Sequence, residues 1–376
     1  MNKIAVIGIG RLGLCFALQL ERAGYDVLGI DARPDYVDAI NRRTLRSVEP
    51  GVEEALRSCV HFRASHQLQP LTDFPATLIY IAVATPSDPA GGYDHSLVNR
   101  VLASLCELDL PGSRHDIVAI STTLPGYCDS QAEEAAKYDL FLSYKPEFVA
   151  QGSIMRDLQY PEQVLLGAAD DIAARKLTDV CTNVCLSHPR VFRMSRLSAE
   201  IAKLATNCFL TMKISFANSI GDLCVLTGAD TENVLASIGA DTRIGNKFLR
   251  YGFGYGGPCF PRDNRALAAF AARQNMPLFL SKATDQVNRQ HLEFQVAEYL
   301  FKYQPQEAIH LTSVTYKVGT EMLEESQQLA LAECLARAGR KVVIHETEVV
   351  LEQLKNVYGD LFEYKLACRT EEESAA

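Results

Sequence analysis

The sequence has no window approaching the roughly 20 unbroken apolar residues of a membrane helix, which argues against an integral membrane protein. It has no basic leader followed by a cleavable apolar stretch, because Met1 to Val6 runs straight into a strand-like segment; a cytoplasmic location is the expectation. Disulfide-framework spacing is missing as well. The eleven cysteines, an odd number, lie scattered from Cys15 to Cys368, which fits a reducing compartment and small buried thiols. Cys181, Cys185 and His188 match no standard zinc spacing, so no metal is expected. Nor is there a basic excess. With 37 Lys+Arg against 46 Asp+Glu, the formal charge of −9 has the wrong sign for a phosphate-backbone binder. Nucleic acid is therefore not an expected partner, and an anionic ligand must be held by local donors. No internal repeat or low-complexity tract is present.

What is there describes a globular chain of several domains: 376 residues, 48% hydrophobic and 22% charged. Up to about Arg193, short apolar runs (Ile4 to Ile9, Val27 to Ile30, Thr77 to Val83, Ile117 to Ser121) alternate with helical-period segments, which predicts a doubly wound parallel α/β sheet. Ser195 to Gly228 reads as one long helix with Ser198 as its N-cap and Gly228 as its stop. Helical segments continue to about Tyr303, interrupted by the glycine-rich stretch Tyr251 to Gly257. Strands at Ala308 to Thr312 and Lys341 to His345, around a helix from Glu324 to Ala338, predict a small second α/β unit, and the acidic stretch Glu371 to Ala376 is expected to fray.

Three groups of residues carry candidate chemistry. Gly8-Ile9-Gly10-Arg11-Leu12-Gly13 follows the first strand and opens the first helix, and Asp31 ends the second strand 21 residues after Gly10. Glycines there permit a tight turn, close approach of a pyrophosphate and helix packing, while Asp31 can accept from ribose hydroxyls and repel a ribose phosphate. That context predicts a dinucleotide site preferring NAD to NADP, with Arg33 close by. On the long helix, Lys203 and Asn207 are four apart and share a face with Glu200. Such a stripe is ordinarily solvated, but the helix is apolar nearly all round, so this one is expected to be buried or to line a cleft. Cys259 sits in Gly256-Gly257-Pro258-Cys259-Phe260-Pro261-Arg262-Asp263, where glycines leave room at the thiol and Asp263 follows by one helical turn. Taken alone, such a cysteine is more often a bystander than a nucleophile.

Together these segments resemble the UDP-glucose/GDP-mannose dehydrogenase family. The resemblance rests on Gly8-x-Gly10-x-x-Gly13, Ala84-Thr85-Pro86, Ser121-Thr122, Pro146-Glu147-Phe148, Glu200-x-x-Lys203-x-x-x-Asn207, Asp241-x-Arg243-Ile244-Gly245, Gly254 to Asp263 and Tyr316-Lys317. It implies an α/β protein: a Rossmann-type NAD-binding domain over 1–194, a central long-helix dimerisation domain carrying the cysteine over 195–302, and a shortened C-terminal α/β sugar-nucleotide domain over 303–376. It implies two NAD-dependent oxidations of a nucleotide sugar's primary alcohol to the carboxylate, UDP-glucose to UDP-glucuronate first among candidates, with GDP-mannose and UDP-N-acetylhexosamines as alternatives. Cys259 then holds the sugar as thiohemiacetal and thioester. Lys203 and Asn207 stabilise the developing oxyanion, and Thr122, Glu147 and Asp263 handle protons. The cofactor falls to Gly8, Gly10, Arg11, Leu12, Gly13, Asp31, Thr85, Thr122 and Gln151. The substrate falls to Glu147, Phe148, Lys203, Asn207, Phe248, Arg250, Tyr251, Gly256 and Lys317, with Arg243 reaching a neighbouring subunit's site in a homodimer.

The chain departs from the family pattern in four places. Arg262 replaces a lysine, Gln151 a glutamate and Glu324 an arginine, and His345-Glu346-Thr347 stands where Asp-Pro is usual. Two other readings remain open: a two-electron β-hydroxyacid-type dehydrogenase, which needs no thiol, and a binding protein that keeps NAD and sugar-nucleotide affinity without turnover.

Overall fold

A computed structural model describes residues 2–367; Cys368 and the acidic stretch expected to fray lie outside them. The chain divides into two compact units, Met1–Leu204 and Ala205–Ala376. The first is built on eight strands: β1 (Lys3–Ile7), β2 (Asp26–Ile30), β3 (Phe62–Ser65), β4 (Leu78–Ile81), β5 (His115–Ala119), β6 (Leu140–Tyr144), β7 (Gln163–Gly167) and β8 (Arg190–Met194). Their order in the sheet is β3-β2-β1-β4-β5-β6-β7-β8. Both faces are covered by helices α1 (Arg11–Arg22), α2 (Pro34–Asn41), α3 (Val52–Ser58), α4 (Ser96–Cys106), α5 (Tyr127–Ala136), α6 (Ile154–Gln159) and α7 (Asp171–Val184). The strands are therefore apolar on both sides: Ile4 and Val6 of β1 enter one core with Phe16 and Tyr80, while Ala5 and Ile7 enter the other with Ile79 and Ile81. The sheet order reverses between β1 and β4, and ligands of such sheets bind beyond the carboxyl ends of the strands at that switch.

One expectation needs correcting. The sheet is parallel through β6, but β7 joins β6 antiparallel through Tyr144 and Gly167, and β8 follows β7. The six-residue α6 is the only helix between them, and six residues rise about 9 Å, short of the roughly 17 Å of a five-residue strand. The connection does not carry the chain back for a parallel entry.

Helix α8 (Arg196–Thr227) runs out of the first unit into the second. It starts two residues before the expected cap: Ser195 Oγ, not Ser198, caps it, accepting from the Ser198 amide at 3.1 Å. Gly228 ends it with φ +76°, a conformation that favours glycine. Among the described residues α8 is the one helix that by length and composition could cross a membrane, yet Glu200, Lys203, Asn207, Thr211, Ser215 and Asn218 along it are all buried in protein. The second unit continues with α9 (Thr231–Ala240), α10 (Phe260–Arg273) and α11 (Phe279–Lys302). It closes with a parallel sheet of order β11-β10-β9, formed by β9 (Ile309–Leu311), β10 (Val342–Glu346) and β11 (Glu363–Leu366) with α12 (Gln327–Arg337) and α13 (Glu348–Tyr358). Helix α13 and strand β11 had no counterpart in the sequence reading. Glu346, in place of the usual Asp-Pro, holds the turn after β9: its carboxylate accepts from Ser313 Oγ and from the Val314 amide, each at 2.9 Å.

Candidate active site

The first unit supplies a crevice at the β1–β4 switch. Gly8 has φ +90°, and a Cβ there would lie 2.8 Å from the backbone of Ala82 and Val83; a Cβ on Gly13 would lie 2.0 Å from the Gly8 carbonyl oxygen. A Cβ on Gly10 would meet nothing within 4 Å, so this face is open where a pyrophosphate would approach the start of α1. The glycines thus fit a dinucleotide: two close the turn and one leaves it bare. Arg11 reaches across the mouth to Gln151, donating to its side-chain oxygen at 2.7 Å, and Leu12 packs half-buried against the core. Thr85, after β4, donates to the Thr122 carbonyl at 2.8 Å, tying together two loops that carry candidate residues. Asp31 directly follows β2, and Arg33 grips its carboxylate from two nitrogens at 2.8 and 2.9 Å while lying 3.9 Å over the Tyr36 ring.

The loop after β6 presents Glu147 and Phe148 to Lys203. The Lys203 ammonium donates to the Glu147 backbone oxygen at 2.8 Å and lies 4.4 Å from the Phe148 ring centroid. Glu200, on the same helix, is fully buried and accepts from Thr123 Oγ1 at 2.9 Å and from the amides of Gly126 and Cys128 at 2.7 and 2.9 Å. Burial still pushes its carboxyl above the usual range, against those bonds. Glu200 is thus an anchor for the start of α5. The polar stripe on α8 is buried, as its apolar surroundings implied.

In the second unit Cys259 is exposed and occupies the N-cap of α10, the helix end where partial positive charge collects. Its carbonyl accepts from the Asp263 amide at 2.8 Å, so the carboxylate sits one turn into the same helix. Asp263 and Asn207 are 3% and 6% exposed, and Asn207 Nδ2 donates to Asp263 Oδ2 at 2.6 Å. Next to them Cys208 is half-buried and its thiol is pushed up to about 12, first by desolvation and then by Asp263; it is a packing residue.

The glycine-rich stretch ahead of Cys259 is held by residues that motif reading did not single out. Asn218 on α8 accepts from the Gly252 amide at 3.1 Å and donates to the Phe253 carbonyl at 3.3 Å. Asn288 on α11 accepts from the Tyr255 amide at 2.9 Å and donates to its carbonyl at 3.0 Å. His291 lies between two oxygens, those of the Asp222 carboxylate at 2.9 Å and the Gly252 carbonyl at 2.6 Å. Spacing of i+4, i+8 and i+11 from Asn207, through Thr211 and Ser215, was the available signal for Asn218; nothing local marked Asn288 or His291. Side chains on Gly254, Gly256 and Gly257 would strike Asn288, the Glu325 carbonyl and the Tyr316 ring at 2.3 Å each, so this loop must be glycine to lie against α11 and the segment before α12. Gly257 also donates to the Glu324 carbonyl at 3.1 Å, and Glu325 pairs with Arg265.

A cleft of about 930 Å³ opens beside this loop, lined by Leu235 of α9 and by Lys247, Phe248, Arg250 and Tyr251. Phe248 is held at φ +61°, a strained conformation for a bulky residue and one that recurs at functional sites. Arg250 and Lys317 are exposed cations, and Arg243, 87% exposed, is paired with Asp241 at 2.6 Å.

Comparison with known proteins gives this geometry its context. A family model for the NAD-binding domain of the UDP-glucose/GDP-mannose dehydrogenase family matches residues 2–184, and one for the family's central domain matches residues 197–290. The UDP-glucose 6-dehydrogenase of Pseudomonas aeruginosa is 33% identical over 361 residues, covering 92% of this chain and 78% of the relative. UDP-glucose 6-dehydrogenase AglM of Haloferax volcanii is 30% identical over 373 residues, covering 96% and 86%. A solved UDP-glucose dehydrogenase from Pyrobaculum islandicum matches with TM-score 0.88 at 29% identity, covering 97% of this chain and 86% of that one. A UDP-D-ManNAc dehydrogenase from Pyrococcus horikoshii, at 22% identity and TM-score 0.80 over 99% and 86% of the two chains, shares the fold. The chain belongs to the UDP-glucose/GDP-mannose dehydrogenase family, NAD-dependent oxidoreductases of nucleotide sugars.

Proposed function

We propose that this protein oxidises the primary alcohol of a nucleotide sugar to a carboxylate in two NAD-dependent steps, with UDP-glucose as the substrate and UDP-glucuronate as the product. The observation that carries the reading is Cys259, an exposed thiol at the start of α10 with buried Asp263 one turn behind it. NAD, when bound, would supply the hydride acceptor for each oxidation. Gly8, Gly10 and Gly13 with Arg11, Leu12, Asp31, Thr85, Thr122 and Gln151 would hold it. The alcohol first loses a hydride and a proton to give the aldehyde. The Cys259 sulfur forms a C–S bond to that carbon and the thiol proton passes to the oxygen, giving a thiohemiacetal. Loss of a second hydride and the hydroxyl proton leaves a thioester. Water adds to its carbonyl carbon, the C–S bond breaks, and its electron pair stays on sulfur. The sum is RCH₂OH + 2 NAD⁺ + H₂O → RCOO⁻ + 2 NADH + 3 H⁺.

Lys203 and Asn207, four apart on α8, donate to the oxygen that gains charge in these steps. Thr122, Glu147 and Asp263 position or accept the protons. Phe148, Phe248, Arg250, Tyr251, Gly256 and Lys317 take the nucleotide sugar, and the cleft beside α9 supports this by its size and cations. Exposed Phe209, Phe216 and Leu223 recur every seventh residue along α8, an apolar seam that supports a homodimer in which Arg243 reaches the partner's site. The cytoplasm, which holds nucleotide sugars and keeps thiols reduced, is the proposed location. An NADH-release screen over UDP-glucose, UDP-galactose, UDP-N-acetylhexosamines and GDP-mannose tests the reading. It expects two NADH per UDP-glucose and no free aldehyde. A preference for another sugar corrects the substrate, and one NADH with aldehyde released removes the thioester.

A further inference from the structure

The carboxylate of Glu147 has a counterion that the Pro146-Glu147-Phe148 motif does not include. Lys145 follows the last residue of β6, and its amide donates to the Ala119 carbonyl at 2.9 Å, so its backbone is fixed at the sheet's end. Its side chain turns inward, 5.4 Å from the Phe16 ring centroid, and its ammonium is in direct contact with the Glu147 carboxylate. Neither partner has much access to water: the two side chains are 6% and 10% exposed. Lys203 does not fill this role, because its ammonium donates to the Glu147 backbone oxygen.

The other titratable groups around the pair are Cys181, Cys185 and Tyr80, and burial raises the pKa of all three, Cys181 to about 12. They stay neutral near pH 7, so the charges facing the Glu147 residue are the Lys145 ammonium at its carboxylate and the Lys203 ammonium at its backbone oxygen. Burial alone pulls the Lys145 ammonium down, and the Glu147 charge reverses that, so it ends above its ordinary value. A pair of this kind is costly to break from one side, since the remaining charge is buried without compensation.

We propose that Lys145 is a positioning residue for Glu147: it keeps that carboxylate ionised and oriented, so that Glu147 serves as the base in thioester hydrolysis. The inference rests on the function proposed above and narrows it. In the hydrolytic step Glu147 takes a proton from water as the new C–O bond forms, and the sulfur of Cys259 leaves with the electron pair of the C–S bond. A glutamate without its lysine takes up a proton at higher pH and is lost as a base over the range where the native enzyme works.

The test compares wild type with K145M, K145Q and K145R. Two readouts are used: the pH dependence of kcat, and carboxyl titration by NMR of full-length protein carrying ¹³C-labelled glutamate, with the Glu147 signal assigned by its absence in E147Q. The expected result in K145M and K145Q is a Glu147 titration and an acid limb of kcat displaced upward by about one to three pH units. A burst of two NADH per active site should precede slow turnover as acyl-enzyme accumulates, and K145R should restore both curves. A Glu147 titration unchanged in K145M or K145Q, or an arginine that behaves like methionine, overturns the role of Lys145. Absence of turnover in wild type with every nucleotide sugar would instead remove the proposed function, and the NMR titration would still decide whether Lys145 controls Glu147.

Discussion

Replacing Asn207 by alanine probes a half of the site that lies wholly within the second unit. Its amide donates to Asp263 at 2.6 Å, and at 6% and 3% exposure the two residues leave little room for water to take over. A hydrogen bond to a charged group contributes about 1.5–3 kcal/mol, and an acceptor left buried without its donor costs its desolvation as well. N207A should therefore lose about 2 kcal/mol in the unfolding transition of the second unit, read by circular dichroism in urea. The same truncation removes one preorganised donor from the reacting oxygen, a loss of about 10²–10³ in kcat by analogy with oxyanion sites. Stopped-flow NADH fluorescence reads that number, and the proposed chemistry places the loss in kcat more than in KM. N207D, which sets a second carboxylate against Asp263, should be less stable still. A variant that unfolds with wild type and turns over within twofold of it would refute the reasoning. A loss of stability alone would leave Asn207 as a support for Asp263 with no part in the chemistry.

Three further outcomes follow from the same structure. G13A drives a Cβ to 2.0 Å from the Gly8 carbonyl, so NAD affinity measured by calorimetry should fall by at least tenfold; undiminished binding would place the cofactor elsewhere. Brief iodoacetamide treatment at pH 8 should label Cys259 ahead of Cys334, whose thiol is raised by burial and by Glu333, and should spare Cys181 and Cys208, both raised to about 12; peptide mass spectrometry reads the order, and early labelling of Cys208 would contradict its packing. The raised carboxyl of Glu200 means that the folded chain holds a proton which the unfolded chain releases, so its contribution to stability is present in acid and is lost as pH rises through the folded value. E200Q should remove that slope from the urea midpoint measured above pH 4.5, and an unchanged slope would assign it to other groups.

The first unit was largely legible because its strands are buried on both faces and its glycine turn is local chemistry. Ile4 to Ile9 and Val27 to Ile30 announced β1 and β2 by apolar run length alone, and Gly8, Gly10 and Gly13 needed no distant partner to be read. What failed depends partly on short local connections and partly on partners far along the chain. The direction of β7 is set by the short α6, and α8 starts at Arg196 because the Ser195 hydroxyl caps it by accepting from the Ser198 amide. Strand β11, with Glu363 to Leu366 half exposed at a sheet edge, carries too little apolar signal to stand out. Candidate residues with a motif around them, Cys259, Asp263, Lys203 and Asn207, could be named from sequence. Asn218, Asn288 and His291 could not, since their task is to bond the backbone of a loop more than 30 residues away in the chain. Lys145 stood beside a recognised glutamate, yet only packing against Phe16 turns its ammonium inward to meet it.

Rapid-quench mass spectrometry of the enzyme during turnover, on the sugar nucleotide that yields NADH, bears on the covalent role of Cys259 without intermediary. A hydroxylamine-labile sugar adduct on the peptide containing Cys259, formed with the second NADH, consumed as the acid appears and absent from C259A, is the expected result. Acid formation by C259A at the wild-type rate, or two NADH per sugar with no adduct at any quench time, would contradict it.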